Sequence, residues 1–202
     1  MDTVSRTAAQ AYAYWSQRRT TDYDWDISAP STKLVCETVA KWKGTEDLYV
    51  FEFGCGIGRN LHMLKQEIPG IAVHGADINH EAIAAGSDHF DVPLSVAHEA
   101  TLIRIPDDHY SCAFTCSVLS HLLDPKEHIS ELCRISHRFA FFIEPYNPHQ
   151  CGNRCDYLRE WSWFWNYPEI FRELGVELLE STPVPLEEAG LGPFFTLYVV
   201  KP

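Results

Sequence analysis

Apolar positions in this chain follow two rhythms. Short, mostly apolar runs alternate with stretches in which apolar residues fall three and four apart. The spacing predicts a helix over 31–42, with Leu34, Val35, Val39 and Trp42 on one face. A polar loop, 43–47, leads into a buried strand over 48–53. A glycine loop opens a helix over 59–66, which Pro69-Gly70 punctuates. A strand over 71–76 follows, and Asn79 suits the N-cap of a helix reaching 85. Strands are expected over 94–98 and 111–116. Asp124-Pro125-Lys126-Glu127 reads as a helix start, with Asp as cap, Pro at the first position and Glu closing a capping box. Ile129, Leu132 and Cys133 then face inward. A further buried strand covers 139–143, Pro168 opens a helix with Ile170, Phe171 and Leu174 inward, and Gly175 stops it. Two strand runs, 176–180 and 194–200, finish the chain.

Strands separated by helices pair in parallel through right-handed crossovers. The last two runs lack a helix between them and suit an antiparallel hairpin. The expected fold is α/β: an open, doubly wound, mostly parallel sheet of seven strands with an antiparallel C-terminal hairpin, in one domain over 1–202. Sheets of this kind bind ligands beyond the carboxyl ends of their strands.

The 202 residues are enough for one well-buried core. Apolar residues at 46% and charged residues at 22% fit a folded globular chain. Acidic residues outnumber basic ones 28 to 16, a net charge of −12 that repels phosphate backbones and anionic lipid. Neither nucleic acid nor membrane is an expected partner. No run approaches the roughly 18 consecutive apolar residues of a membrane helix, and 1–10 carry no apolar leader. Seven cysteines, an odd number spread from Cys36 to Cys155, point to reduced thiols and a cytoplasmic location.

Candidate chemistry gathers at the strand ends. Gly54-Cys55-Gly56-Ile57-Gly58-Arg59 joins a strand to a helix, where glycines let the backbone turn sharply and approach a ligand. Asp77, at the end of the next strand, is placed to accept hydrogen bonds from a ribose diol. A nicotinamide dinucleotide site needs G-x-G-x-x-G. Here Gly58 comes one position early and Arg59 stands where the third glycine belongs, which argues against that cofactor.

From Val50 to Arg59 the chain resembles the class I S-adenosylmethionine-dependent methyltransferases, whose first motif reads V-L-E-L-G-C-G-x-G-R. The resemblance implies a Rossmann-like sheet and S-adenosylmethionine as cofactor, held by Glu52, Gly54, Cys55, Gly56, Gly58, Asp77 and Ile78. Glu99-Ala100, ahead of Pro106-Asp107-Asp108-His109-Tyr110, is similar to the family's acid–alanine pair and Pro-Asp turn, which implies an adenine-side role for both. Ser111 departs from the Asp usual there. The segment 114–122 resembles the family's S-N-S-V-L-H-H-L, which places Cys116 beside the methionine moiety. The likeness covers about 31–145 and the C-terminal hairpin in outline.

In such a reaction the methyl group arrives already activated on a sulfonium, and the protein supplies alignment. A base is needed only where the acceptor must lose a proton. His121 is the candidate, with His98 less well supported. Glu144 is open between binding acceptor, organising the loop and capping a neighbouring helix. The acceptor side is expected in an N-terminal lid segment, 1–30, and a loop, 145–167. The first holds Tyr12, Tyr14, Trp15, Arg18, Arg19, Tyr23 and Trp25. The second holds Tyr146, His149, Tyr157, Trp161, Trp163, Phe164, Trp165 and Tyr167. The expected acceptor is a small molecule or glycan precursor, methylated on oxygen or nitrogen. The alternatives are a non-catalytic cofactor-binding module or partner subunit, and a thiophilic acceptor such as a metalloid held by His149, Cys151 and Cys155. No resident metal is expected.

Overall fold

Alternate residues of the central strands face opposite sides of one sheet, and each side carries its own core. The structure, a computed structural model, describes residues 8–97, 101–149, 161–184 and 194–202. In chain order the elements are α1 (Ala8–Ser16), α2 (Pro30–Trp42), β1 (Tyr49–Phe53), α3 (Arg59–Glu67), β2 (Ala72–Asp77), α4 (His80–His89) and β3 (Leu94–Val96). Then come β4 (Tyr110–Cys116), α5 (Lys126–Arg134), β5 (Ser136–Pro145), α6 (Tyr167–Leu174), β6 (Glu177–Pro183) and β7 (Phe195–Lys201).

The sheet order is β3-β2-β1-β4-β5-β7-β6. The first five strands run parallel, and β7 lies antiparallel between β5 and β6. On β5, Phe139, Phe141 and Ile143 join Val35, Val39, Leu61, Leu64 and Ile83 on the face covered by α2, α3 and α4. Ala140 and Phe142 join Ile129, Leu132, Ile170 and Phe171 beneath α5 and α6. The doubly wound, mostly parallel α/β sheet expected from the pattern is the one observed. Chain order reverses between β1 and β4, so the crevice lies beyond the carboxyl ends of those two strands.

Both sheet edges are blunted. β3 is three residues long. β6 loses register between Leu178 and Glu180 and ends in Pro183. A short edge, a bulge and a proline all oppose pairing with another chain.

Three local expectations need correction. The helix after Asn79 runs to His89 rather than 85, straight through Gly86. A Cβ on Gly86 would overlap the backbone carbonyl of Ile57, so glycine is what lets α4 pass this close to the glycine turn. Asp124 does not close a capping box. Pro125 takes the N-cap position of α5, while Asp124 Oδ1 accepts from the Lys126 amide at 3.0 Å. That bond satisfies the amide locally, two residues on, as Asp does in turns. The third strand ends at Val96 rather than 98. Helix α1 is an addition: the sequence marks 1–30 only as a lid.

Candidate active site

Three glycines shape the turn after β1. Gly54, Gly56 and Gly58 have φ of 73°, 54° and 80°. At Gly56 a side chain is excluded twice, by the left-handed backbone and by the Tyr23 ring, 2.8 Å from where a Cβ would stand. A Cβ on Gly54 would run into Val118. Cys55 is buried within the turn, and burial drives its thiol pKa up, with Asp77 and Glu52 adding to the rise.

Asp77 closes β2 beside this turn. Its Oδ2 accepts from the Gly56 amide and its Oδ1 from the Asn79 amide, each at 2.8 Å. Burial raises its pKa, while those amides and Arg18 oppose the rise. The Ile78 amide opposes it as well, and a carboxylate with about four lone-pair sites still has room for a further donor such as a hydroxyl. Ile78 follows directly, half-buried against the α5–α6 core.

Glu52 lies beneath the turn, 2% exposed. Thr32 Oγ1 donates to Asn60 Oδ1 at 2.8 Å, and Asn60 Nδ2 donates to Glu52 Oε1 at 2.7 Å. Glu52 Oε2 is buried without a hydrogen-bond partner. Burial pushes the carboxyl up to about 8; Asp77 adds to this, and Asn60 and Arg59 oppose it. Cys116, at the end of β4, is half-buried, and burial near Glu52 and Glu144 raises its thiol well above the usual range. Glu99 and Ala100, the expected adenine-side pair, lie outside the described residues, as does His98.

The next group surrounds a 3-10 turn, Leu119–His121, beyond β4. The Glu144 carboxylate, wholly buried at the end of β5, accepts from Thr115 Oγ1 (2.8 Å) and from the amides of Val118 (2.9 Å), Leu119 (3.0 Å) and Ser120 (3.2 Å). Of the roles open to it, Glu144 organises this loop. Burial raises it to about 7 against those four hydrogen bonds. His121 Nδ1 lies 3.1 Å from the Trp161 carbonyl and 3.0 Å from Ser162 Oγ. The Ser120 carbonyl accepts from the Trp163 amide at 2.7 Å. The 161–163 segment is thus joined to the His121 turn.

The N-terminal segment reaches across both groups. Trp15, near the end of α1, stacks on the His121 imidazole with ring centres 3.8 Å apart and planes tilted by 33°. The Asn79 side chain anchors the segment. Its Oδ1 caps α4 through the Glu81 and Ala82 amides, while Nδ2 donates to the Arg18 carbonyl at 2.6 Å and reaches the Tyr23 hydroxyl at 3.2 Å. Arg18 lies 4.6 Å over the Tyr23 ring. Arg19 is exposed, 3.5 Å from Asp22. Tyr14 faces Trp161 with centres 6.1 Å apart, and Trp161 faces Trp163 at 6.4 Å.

The structure therefore brings Glu52, Gly54, Cys55, Gly56, Gly58 and Asp77 together, with Cys116 and His121 at the neighbouring strand end. Sequence reasoning missed Ser162 and the side-chain amide of Asn79. Ser162 sits 41 residues from the histidine it meets, and no local pattern marks such a contact. Cys151 and Cys155 lie outside the described residues. A buried acid below the turn with one oxygen unengaged, and a second acid at its rim, suit a ligand carrying a cationic group and a hydroxylated ring.

Residues 51–136 match the family model described as a methyltransferase domain. No curated protein matches the sequence. Solved structures share the fold at low identity. A chain of the complex between the Haloferax volcanii Trm112 methyltransferase activator and a methyltransferase superposes with a TM-score of 0.67 at 18% identity, over 86% of this chain and 89% of that one. The [4+2]-cyclase SpnF gives 0.67 at 14%, over 93% and 86%. Magnesium protoporphyrin IX methyltransferase (ChlM) from Synechocystis PCC 6803, with bound SAH, gives 0.62 at 14%, over 84% and 80%. Residues 51–136 thus match a methyltransferase domain, on a seven-stranded sheet with a glycine turn after β1 whose fold these solved structures share.

Proposed function

We propose that this enzyme methylates an oxygen or nitrogen of a small molecule or glycan precursor, with His121 as the base. The observation that carries the reading is the setting of that histidine: beyond β4, under Trp15, with Nδ1 against the Trp161 carbonyl. A hydrogen on Nδ1 donated to that carbonyl leaves the lone pair on Nε2, which can then take a proton. Trp15, Trp161 and Trp163 supply flat, rigid walls for an acceptor and keep water from it.

Bound S-adenosylmethionine supplies the activated methyl group. We assign its binding to Glu52, Gly54, Cys55, Gly56, Gly58, Asp77, Ile78 and Cys116, with Glu99 and Ala100 on the adenine side. The glycine turn allows close backbone approach, Asp77 offers its remaining acceptor capacity to a ribose diol, and Glu52 Oε2 offers an acceptor to a cationic group. The 1–30 segment, anchored on Asn79, acts as lid over a single domain.

Thermal unfolding with S-adenosylmethionine, its demethylated product and NAD tests the cofactor side. Ligand at 100 times its dissociation constant adds about 2.7 kcal/mol. The first two should raise the melting temperature, NAD should not, and Asp77→Ala should lose the shift. A larger shift with NAD would sink the assignment. On the acceptor side, His121→Asn should abolish transfer to an acceptor found by library turnover while leaving cofactor affinity intact. Full transfer by that variant would remove His121 as base.

A further inference from the structure

The last ladder bond of β4 runs from the Ser117 amide to the Ile143 carbonyl at 2.8 Å. Beyond it the chain leaves the sheet: Ser117 takes a φ of 60°, and the next amides have no neighbouring strand to pair with. One side chain replaces the strand. Glu144 turns inward from β5 and gathers four donors, all from residues 115–120. Leu119 and Ser120, like Glu144, are fully buried, so water cannot stand in for these bonds. The organised segment carries two things on its outer side. Val118 presses against Gly54 of the cofactor turn. His121 follows at once, its amide donating to the Val118 carbonyl at 2.9 Å.

We propose that Glu144 is a positioning residue for methyl transfer: its carboxylate sets the 118–121 turn and thereby orients the His121 imidazole and the Val118 wall of the cofactor turn, without touching substrate. The catalytic meaning of this assignment rests on His121 being the base; the positioning itself does not. Ordinary folding contacts would hold the turn in place with any side chain that fills the space. Here the requirement is chemical, since only an acceptor with two oxygens meets a hydroxyl and three amides at once. Glutamine keeps one oxygen for Thr115, Val118 and Leu119 and turns its NH2 toward the Ser120 amide, donor against donor. Ser120 is the residue directly before the imidazole.

The test is nitrogen-15 NMR of the histidine side chains in the full chain, with His121→Asn assigning the resonance. In Glu144→Gln the tautomer balance of His121 should change, or its pKa should move by about half a unit or more, while the other nine histidines hold still. A folded Glu144→Gln protein with an unmoved His121 signal overturns the proposal, whatever its melting temperature. If that variant does not fold, Thr115→Val removes one of the four bonds and keeps the carboxylate. There too the tautomer balance or the pKa of His121 changes, or the proposal falls. Methyl transfer surviving in His121→Asn would overturn the base assignment alone and leave the spectroscopic result standing.

Discussion

Glu52→Gln separates a buried charge from a buried shape. The two side chains are nearly the same size, and the glutamine of the variant can still accept from Asn60 Nδ2. Only the wild-type group titrates. In the unfolded chain it gives up its proton near 4.5, and in the folded protein near 8, because burial penalises the ionised form. Below the lower value both states hold the proton. Between the two, folding takes up one proton, so the acid's contribution to stability is lost as pH rises through this window and is gone above the folded value. At about 1.36 kcal/mol per pH unit, the loss relative to pH 4.5 is about 3 kcal/mol at pH 7 and about 5 kcal/mol at pH 9. The variant carries a constant cost of about 1–3 kcal/mol, because its NH2 sits where Oε2 has no partner. The informative quantity is therefore the slope and not the offset. Denaturant unfolding of both proteins from pH 5 to 9 should show wild-type stability falling relative to the variant up to about pH 8 and levelling beyond it. A constant difference across the range would refute the reasoning, since it would mean that Glu52 ionises in the folded protein as easily as in the unfolded chain.

Other expectations follow from close contacts. Gly86→Ala should destabilise by about 1–3 kcal/mol by overpacking, because the obstacle is the Ile57 backbone, which cannot rotate away. Gly175→Asn should cost far less, since the left-handed cap of α6 has open space around it; equal melting temperatures for the two variants would contradict this. Asn79→Ala should lose about 0.5–2 kcal/mol of cap stability and also quicken amide exchange and tryptic cleavage around Arg18 and Arg19, whereas a lost cap alone would leave the N-terminal segment as protected as before. Cofactor should slow cleavage at Arg19 in the wild-type protein, and unchanged cleavage would count against lid closure.

Much of the fold is legible in the sequence because it depends on local chemistry. Short apolar runs mark the seven strands, and helical spacing with local start and stop residues marks α2, α3, α5 and α6, all within a few residues. Asn79 and Gly175 serve as the cap and stop that their types suggest, since each role follows from one side chain, or the lack of one. The departures are of another kind. The length of α4 turns on Gly86 meeting a loop 29 residues away, and the expected capping box at Asp124 loses to a turn bond two residues on. Helix α1 is hidden beside a stronger aromatic signal.

The candidate site divides along the same line. Sequence alone determined the glycine turn, the acid at the end of β2 and the α/β order that sets them side by side, because the roles of glycine, of strand ends and of hydrophobic period hold wherever they occur. Only the tertiary structure decided what Glu144, Asn79, Ser162 and Trp15 do. Their partners lie 24 to 29, 56 to 64, 41 and 106 residues away along the chain. A buried carboxylate takes its function from the donors the fold brings to it, and that choice is made when the layers pack, after the local pattern has said all it can.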